Sequence, residues 1–312
     1  MLSRLRLTLL LLVLGSLRMM AQYDVNFAHY WALEPYYNPA AVGKASVLNV
    51  SAAYAMDLAG FEHNPQTMYI GADMPFQIGK ILNGGGVSYM NDKIGLFTHQ
   101  RLALQYAYRQ KLLKGQLAIG VNAGFLSENF NGSKLDPEDG GDPALPKADV
   151  NGNSVDLGVG LYYTRGPWYV GVSAQHINSP KVELGETNEL QIDAAYYLTG
   201  GYNIKLRNPF LSIQPSFLVR TDGTNTRGDV GARLTYNSEK RILYGGLSYS
   251  PDNSVTVLVG GSFHGVKVGY SYEIYTTGLN PGNGSHELFV SYQTDINLAK
   301  KGKNLHKSVR LL

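Results

Sequence analysis

Val155–Gln175 reads VDLGVGLYYTRGPWYVGVSAQ. Taken two residues at a time, Val155, Leu157, Val159, Leu161 and Tyr163 fall on one side, and Asp156, Gly158, Gly160 and Tyr162 on the other. After Arg165-Gly166-Pro167 the alternation resumes, with Trp168, Val170, Val172 and Ala174 opposite Tyr169, Gly171, Ser173 and Gln175. Successive side chains of a strand point to opposite faces, so this stretch is a β-hairpin with one apolar face. The other face is glycine, serine and polar groups, which is no ordinary protein core. Apolar outside and small or polar inside is the pattern of a transmembrane β-barrel.

Most of the chain repeats the unit. Ala45–Ala55, Pro65–Met74, Gly84–Asn91, Arg101–Gln110 and Gln116–Phe125 precede the hairpin, and Gln191–Ile204, Pro209–Thr221, Arg227–Tyr236, Arg241–Ser250, Ser254–Phe263, Gly265–Tyr275 and Ser285–Ile296 follow it. The expectation is an all-β fold, a transmembrane antiparallel barrel of about 14 strands, an even number as single-chain bacterial barrels have. Arg165–Pro167, Asn237–Lys240 and His264–Gly265 are tight connections, whereas Asn131–Asn153, Asn178–Leu190 and Thr277–Gly284 are long and polar. Outer-membrane barrels keep short turns in the periplasm and long loops outside. The long connections follow odd-numbered strands, which places the N- and C-termini in the periplasm. Tyr69, Tyr162, Tyr163, Tyr196, Tyr197, Tyr272 and Tyr275 fall near strand ends, as in an aromatic girdle at the headgroup level.

The flanks divide the chain. Residues 1–21 read as a signal peptide, with Arg4 and Arg6 before the apolar Leu7–Leu14. Removing them takes away Arg4, Arg6 and Arg18, so the 27 basic residues fall into balance with the 24 acidic ones and the formal charge drops from +3 to zero. The nominal basicity therefore points to no nucleic-acid partner. Residues 22–43 (QYDVNFAHYWALEPYYNPAAVG) lack alternation and read as an ordered periplasmic segment before the barrel at 44–297. Its aromatics either tuck into the barrel mouth or, with Trp31, Tyr36, Tyr37, Asn38 and Pro39, form a docking surface. Residues 298–312 form a basic periplasmic tail with Lys300, Lys301 and Lys303, either solvated or a contact for an anionic partner.

Chemistry is sparse. The chain has no cysteine, which removes disulfides and thiolate metal sites. His286-Glu287 lacks a second histidine at helical spacing, and Gly84-Gly85-Gly86 opens no phosphate loop. His63 and His176 have no nearby carboxylate pattern beyond Glu62. Asp136, Glu138, Asp139, Asp142 and Asp149 cluster in the longest loop, as a calcium site or, more simply, as a solvated acidic loop. Asp156, Arg233, Lys267, Glu273 and Glu287 fall on the lumen face, where they line a pore or pair across a packed interior. No enzyme, cofactor or metal centre is expected.

Several stretches, in order, resemble the PorP/SprF family of type IX secretion outer-membrane proteins of Bacteroidota. They are NPAAVG (38–43), GGGVSYMNDKIGLF (84–97), LAIGVNAGF (117–125), VDLGVGLYY with WYVGVSAQHI, IQPSFLVR (213–220) and VGYSYE with GSHELFVSY up to Tyr292. The resemblance implies an outer-membrane component of the secretion and gliding machinery of a Gram-negative bacterium. It implies partners in periplasmic ring subunits, an OmpA-like peptidoglycan-binding protein and cargo with C-terminal sorting domains. A porin or substrate channel is the alternative that the polar lumen face suggests.

Overall fold

The computed structural model describes residues 23–134, 148–185, 188–238, 241–277 and 283–296. Its strands are β1 Val47–Met56, β2 Gln66–Ile78, β3 Ile81–Ile94, β4 Phe97–Leu112, β5 Gly115–Phe130, β6 Val150–Arg165, β7 Trp168–Gln175, β8 Lys181–Leu184 and β9 Asn188–Gln191. There follow β10 Ala195–Tyr202, β11 Ile204–Lys205, β12 Leu211–Thr221, β13 Thr226–Ser238, β14 Arg241–Ser250, β15 Ser254–Phe263, β16 Val266–Tyr275 and β17 Ser285–Asp295. Every barrel strand pairs antiparallel with its sequence neighbour, β10 joins β7 to β12, and β1 pairs with β17 to close the ring. Setting aside β8, β9 and the two-residue β11, the ring has 14 strands. Closure gives each barrel strand two neighbours, so the backbone groups find partners within the sheet, as a sheet in lipid requires.

The outward face is the alternating apolar set. On β5 and β6, Ile119, Val121, Phe125, Val155, Leu157, Val159 and Leu161 are exposed, while Ala118, Gly120, Asn122, Asp156, Gly158 and Gly160 face inward. No helix among the described residues is long and apolar enough to cross a membrane. The tight turns use left-handed backbone: His264 and Gly265, at φ 49° and 82°, join β15 to β16 with the twist that suits a two-residue hairpin.

The strand ends that the long connections join, Met56 and Gln66, Phe130 and Val150, Gln175 and Ala195, and Tyr275 and Ser285, all lie at one end, here the loop mouth. β1 starts and β17 ends at the other, the terminal mouth.

Three expectations are corrected. Residues 22–43 are no separate segment outside the barrel: from Tyr23 onward they run inside it. Gln191 does not start a barrel strand; it ends the β8–β9 hairpin, held by Val182, Leu184, Leu126 and Ile192, which bury together. Tyr69, Tyr162 and Tyr197 are not girdle residues. Their rings are 2%, 2% and 3% exposed and point into the lumen, where the segment 23–43 covers them.

Candidate functional site: a lumen filled by the N-terminal segment

The chain enters at the loop mouth with Tyr23 and leaves at the terminal mouth with Lys44. Between them lie one helical turn, α1 (Glu34–Tyr37), and a 3-10 turn at Pro39–Ala41. Pro35 sits in the first turn of α1, where its missing N–H costs nothing. Asn38 caps the second turn by accepting from the Ala40 N–H at 2.9 Å. Phe27, Leu33, Tyr36, Tyr37 and Ala40 are all 5% exposed or less, so this short segment is the core of the barrel.

The lower half is seated by glycines. A Cβ at Gly120 would lie 2.2 Å from the Ala40 nitrogen, one at Gly160 2.1 Å from Asn38 Oδ1, and one at Gly84 2.0 Å from the Val42 carbonyl oxygen. Only hydrogen at these positions lets two backbones approach so closely. The seat is then hydrogen-bonded. Asn38 Nδ2 donates to the carbonyls of Leu161 (2.9 Å) and Val172 (3.3 Å), and Gln105 Nε2 to that of Pro35 (2.6 Å). Arg109 Nη2 donates to the Ala40 and Val42 carbonyls, and the Gly43 N–H donates to Asp73. Asn38-Pro39-Ala40-Ala41-Val42-Gly43 thus docks on glycines from β3, β5 and β6, stretches that look unrelated in sequence.

The upper half is held by charge. His176, just past β7, places Nδ1 2.7 Å from Asp156 and Nε2 3.1 Å from Asp24. Arg101 Nε donates to Asp156 at 2.7 Å, and its Nη2 to Gln175 at 3.0 Å. Tyr197 hydrogen-bonds Asp24, and Arg220 Nη1 donates to the Asp24 backbone carbonyl at 2.6 Å. Tyr23 donates to Glu128, which also meets His99. A second tie sits on β17: the Glu287 carboxylate accepts from the Ala28 and His29 N–H groups and contacts His29 Nδ1 at 2.6 Å.

Burial opposes the His176 imidazolium, yet the Asp24 and Asp156 carboxylates outweigh it and raise its pKa from 6.5 to about 9. Burial likewise opposes the Asp24 carboxylate, but His176 and Tyr197 hold its pKa well below the usual range. A raised folded pKa stabilises the state with the tie fully below pH 6.5, and that contribution is lost as pH rises through about 9. Seating of residues 23–28 should therefore weaken between pH 7 and 10. Amide exchange of Asp24 and Val25 checks it: rates should rise more than intrinsic chemistry dictates, and His176→Ala should erase the excess.

Asp156, Arg233, Lys267, Glu273 and Glu287 sit on the inner face, and four of them meet partners among the described residues. Asp156 joins Arg101 and His176, and Glu287 holds His29. Glu273 accepts from Arg227 at 2.9 Å. The Arg233 guanidinium stacks 3.3 Å over Trp31. Lys267 lines a cavity of about 150 Å³ at the terminal mouth with Trp31, Glu34 and Lys44. Of the residues expected to form a docking surface, Tyr36, Tyr37, Asn38 and Pro39 are buried against the wall, and Trp31 is half-buried at the terminal-mouth cavity. Lys300, Lys301 and Lys303 lie outside the described residues, as does most of the acidic loop. Among the described residues no three side chains gather as metal ligands.

The sequence reading missed Asp24, His29 and Arg101, and it found no carboxylate partner for His176. Asp24 and Asp156 stand 152 and 20 residues from His176. Only the pairing of β6 with β7 brings Asp156 near it.

A closed antiparallel barrel with an apolar outer belt and a polar interior is an outer-membrane-type β-barrel protein. Residues 19–292 match the family described as type IX secretion system membrane protein PorP/SprF, and the chain belongs to it. It is thus a membrane component of type IX secretion, located in the outer membrane. No curated protein matches the sequence. Among solved structures it is similar to the P. putida toluene transporter TodX (10% identity, 83% of this chain and 92% of that one, TM-score 0.47). It is also similar to a Pseudomonas aeruginosa FadL homologue (11%, 83% and 92%, 0.46). BamA from Haemophilus ducreyi lacking POTRA domains 1–3 gives 7%, 78% and 70%, and 0.43. At these values the likeness is one of barrel shape.

Proposed function

We propose that this protein serves type IX secretion as a closed docking barrel and not as a conduit. The observation that supports it is the occupied lumen: residues 23–43 bury against the inner wall along its height, seated by glycines below and a charged tie above. A segment so closely packed makes a poor channel lining and a good rigid core. The barrel then presents its two mouths to partners. In this reading both chain termini are periplasmic, the basic tail with Lys300, Lys301 and Lys303 faces ring subunits or an OmpA-like peptidoglycan-binding protein, and the loop mouth meets cargo with C-terminal sorting domains. No catalytic chemistry is assigned.

Deleting the gene should abolish surface display of at least one sorting-domain cargo, read by surface proteolysis and mass spectrometry. Normal display of every such cargo would overturn the reading. Truncating residues 298–312 should leave the barrel folded while co-purification of periplasmic subunits falls. The second reading, a porin, is favoured by the charged inner wall, and steady conductance of the intact protein in a planar bilayer would establish it.

A further inference from the structure

The loop mouth holds a cavity of about 420 Å³ between the β3–β4 turn, the chain from β9 to β10 and the β12–β13 turn. Its buried end is formed by Tyr23 and Asp24, where the lumen segment begins, with Tyr197 and Arg220 beside them. Ile94, Phe97 and Leu190 are its apolar walls. The volume falls in the range of small-molecule sites, about 300–1,000 Å³.

Two features of this cavity have no account in the barrel itself. The first is apolar. Ile94 falls in the inward register of β3 with Met90 and Asp92, and Phe97 in that of β4 with His99 and Arg101. Both are nevertheless open, at 41% and 37% exposed. Lipid covers exposed apolar side chains on the outer face of the sheet, but these two face the lumen.

The second is the charge of Arg220, a side chain only 8% exposed. Its Nη1 donates to the Asp24 backbone carbonyl at 2.6 Å, and its Nε is buried with no partner. Among the described residues no carboxylate is left for it. The Asp24 carboxylate is taken by His176 and Tyr197, and Asp222 accepts from the Thr224 and Asn225 N–H groups of its own turn. Charges nearby are already matched: Asp24 and Asp156 carry two negatives, and the His176 imidazolium and Arg101 carry two positives. The Arg220 charge stands over from that balance. Elsewhere in the same lumen Arg101 and Arg227 each meet carboxylates. A buried charge is costly unless it is paired, so the cavity lacks an anion.

We propose that this cavity binds a small amphipathic monocarboxylate, its carboxylate on the free donors of Arg220 and its apolar body against Ile94, Phe97 and Leu190. The guanidinium presents its donors in a planar fork that matches the two oxygens of a carboxylate. An inorganic anion would satisfy the charge and leave Ile94 and Phe97 bare. Asp193 and Asp222 also line the cavity and oppose a second negative charge on the ligand. The bound molecule would lie on Tyr23 and Asp24 and so fasten the upper end of the lumen segment. This inference goes beyond the docking reading and does not depend on it, because the site lies at the mouth of the barrel whether the lumen is closed or conducting.

Isothermal titration of the purified full-length protein with phenylbutanoate tests it, with phenylbutanol as the neutral analogue and protein-free detergent as the blank. The expected result is one-to-one binding of the acid and binding of the alcohol weaker by about tenfold or more, since the alcohol makes no ion pair with Arg220. Arg220→Gln should bring the acid down to the level of the alcohol. Thr224→Trp, on an exposed turn, keeps Arg220 and fills the cavity mouth, and it should abolish binding of both. Heat-modifiable mobility on gels shows that each variant has formed its barrel. Equal binding of acid and alcohol by the unaltered protein would overturn the proposal, as would no binding at all or acid binding unchanged in either variant. Acid binding that appears only when Asp136, Glu138, Asp139 and Asp142 are all replaced by their amides would give Arg220 to this chain's own acidic loop, and would overturn it too.

Discussion

Removing residues 23–43 converts the closed barrel into an ion-conducting pore. The intact protein should show no resolved steps in a planar bilayer, and the deletion variant should show stable ones. The lumen wall is polar and charged, with Asp156, Arg101, Arg109, Arg233 and Glu287 all inward, so water would fill the space the segment vacates. The wall should survive the deletion because its ladder hydrogen bonds run between strands and close on β1–β17 without help from the segment. It should be less stable, since the segment supplies the buried apolar partners of Tyr69, Met90 and Phe289, and large buried side chains stripped of their neighbours cost about 2–5 kcal/mol each. A deletion variant that folds and stays closed would show that the wall collapses inward, and the account of the segment as a plug would fail.

The second large effect comes from side chains added at two inward glycines. Gly120→Val and Gly160→Val together should unseat Asn38–Gly43 without breaking a strand. At Gly120 the added carbon would meet the Ala40 nitrogen at 2.2 Å and the Pro39 carbonyl carbon at 2.5 Å, and backbone atoms cannot swing aside as a side-chain tip can. Overpacking costs typically about 1–3 kcal/mol per site, enough in sum to shift the segment's equilibrium by a factor of tens or more. Limited proteolysis reads this directly: cleavage within 23–43 should appear in the double variant and not in Gly228→Val, whose added Cβ meets nothing within 4 Å. Equal protease resistance in both would mean that the glycine track is incidental.

These effects explain why part of the protein is legible from its sequence and part is not. The hairpin at Val155–Gln175 is readable because strand periodicity and a lipid-facing side are local properties. Leu157, Val159 and Leu161 need only lipid outside them, whatever the rest of the chain does. The number of strands, the tight turns and the inward placement of Asp156, Arg233, Lys267, Glu273 and Glu287 follow from the same local rule. So does the glycine-rich inner face, although its reason does not.

The reason is tertiary. Gly84, Gly120 and Gly160 look like relief of crowding until Val42, Ala40 and Asn38 are found against them. Tyr69, Tyr162 and Tyr197 look like interfacial tyrosines until the lumen is known to be full, because the same ring suits a headgroup layer and a buried contact with a carboxylate. His176 has no acidic neighbour in sequence, and its two carboxylates arrive from a strand partner and from the chain's N-terminal segment.

By itself the sequence determined an outward-apolar, closed antiparallel barrel, since alternation acts residue by residue. The tertiary structure alone decided that the barrel is filled, and by which residues. Those outcomes depend on contacts across more than a hundred residues of chain, and no local pattern encodes which distant backbone will lie against a bare glycine.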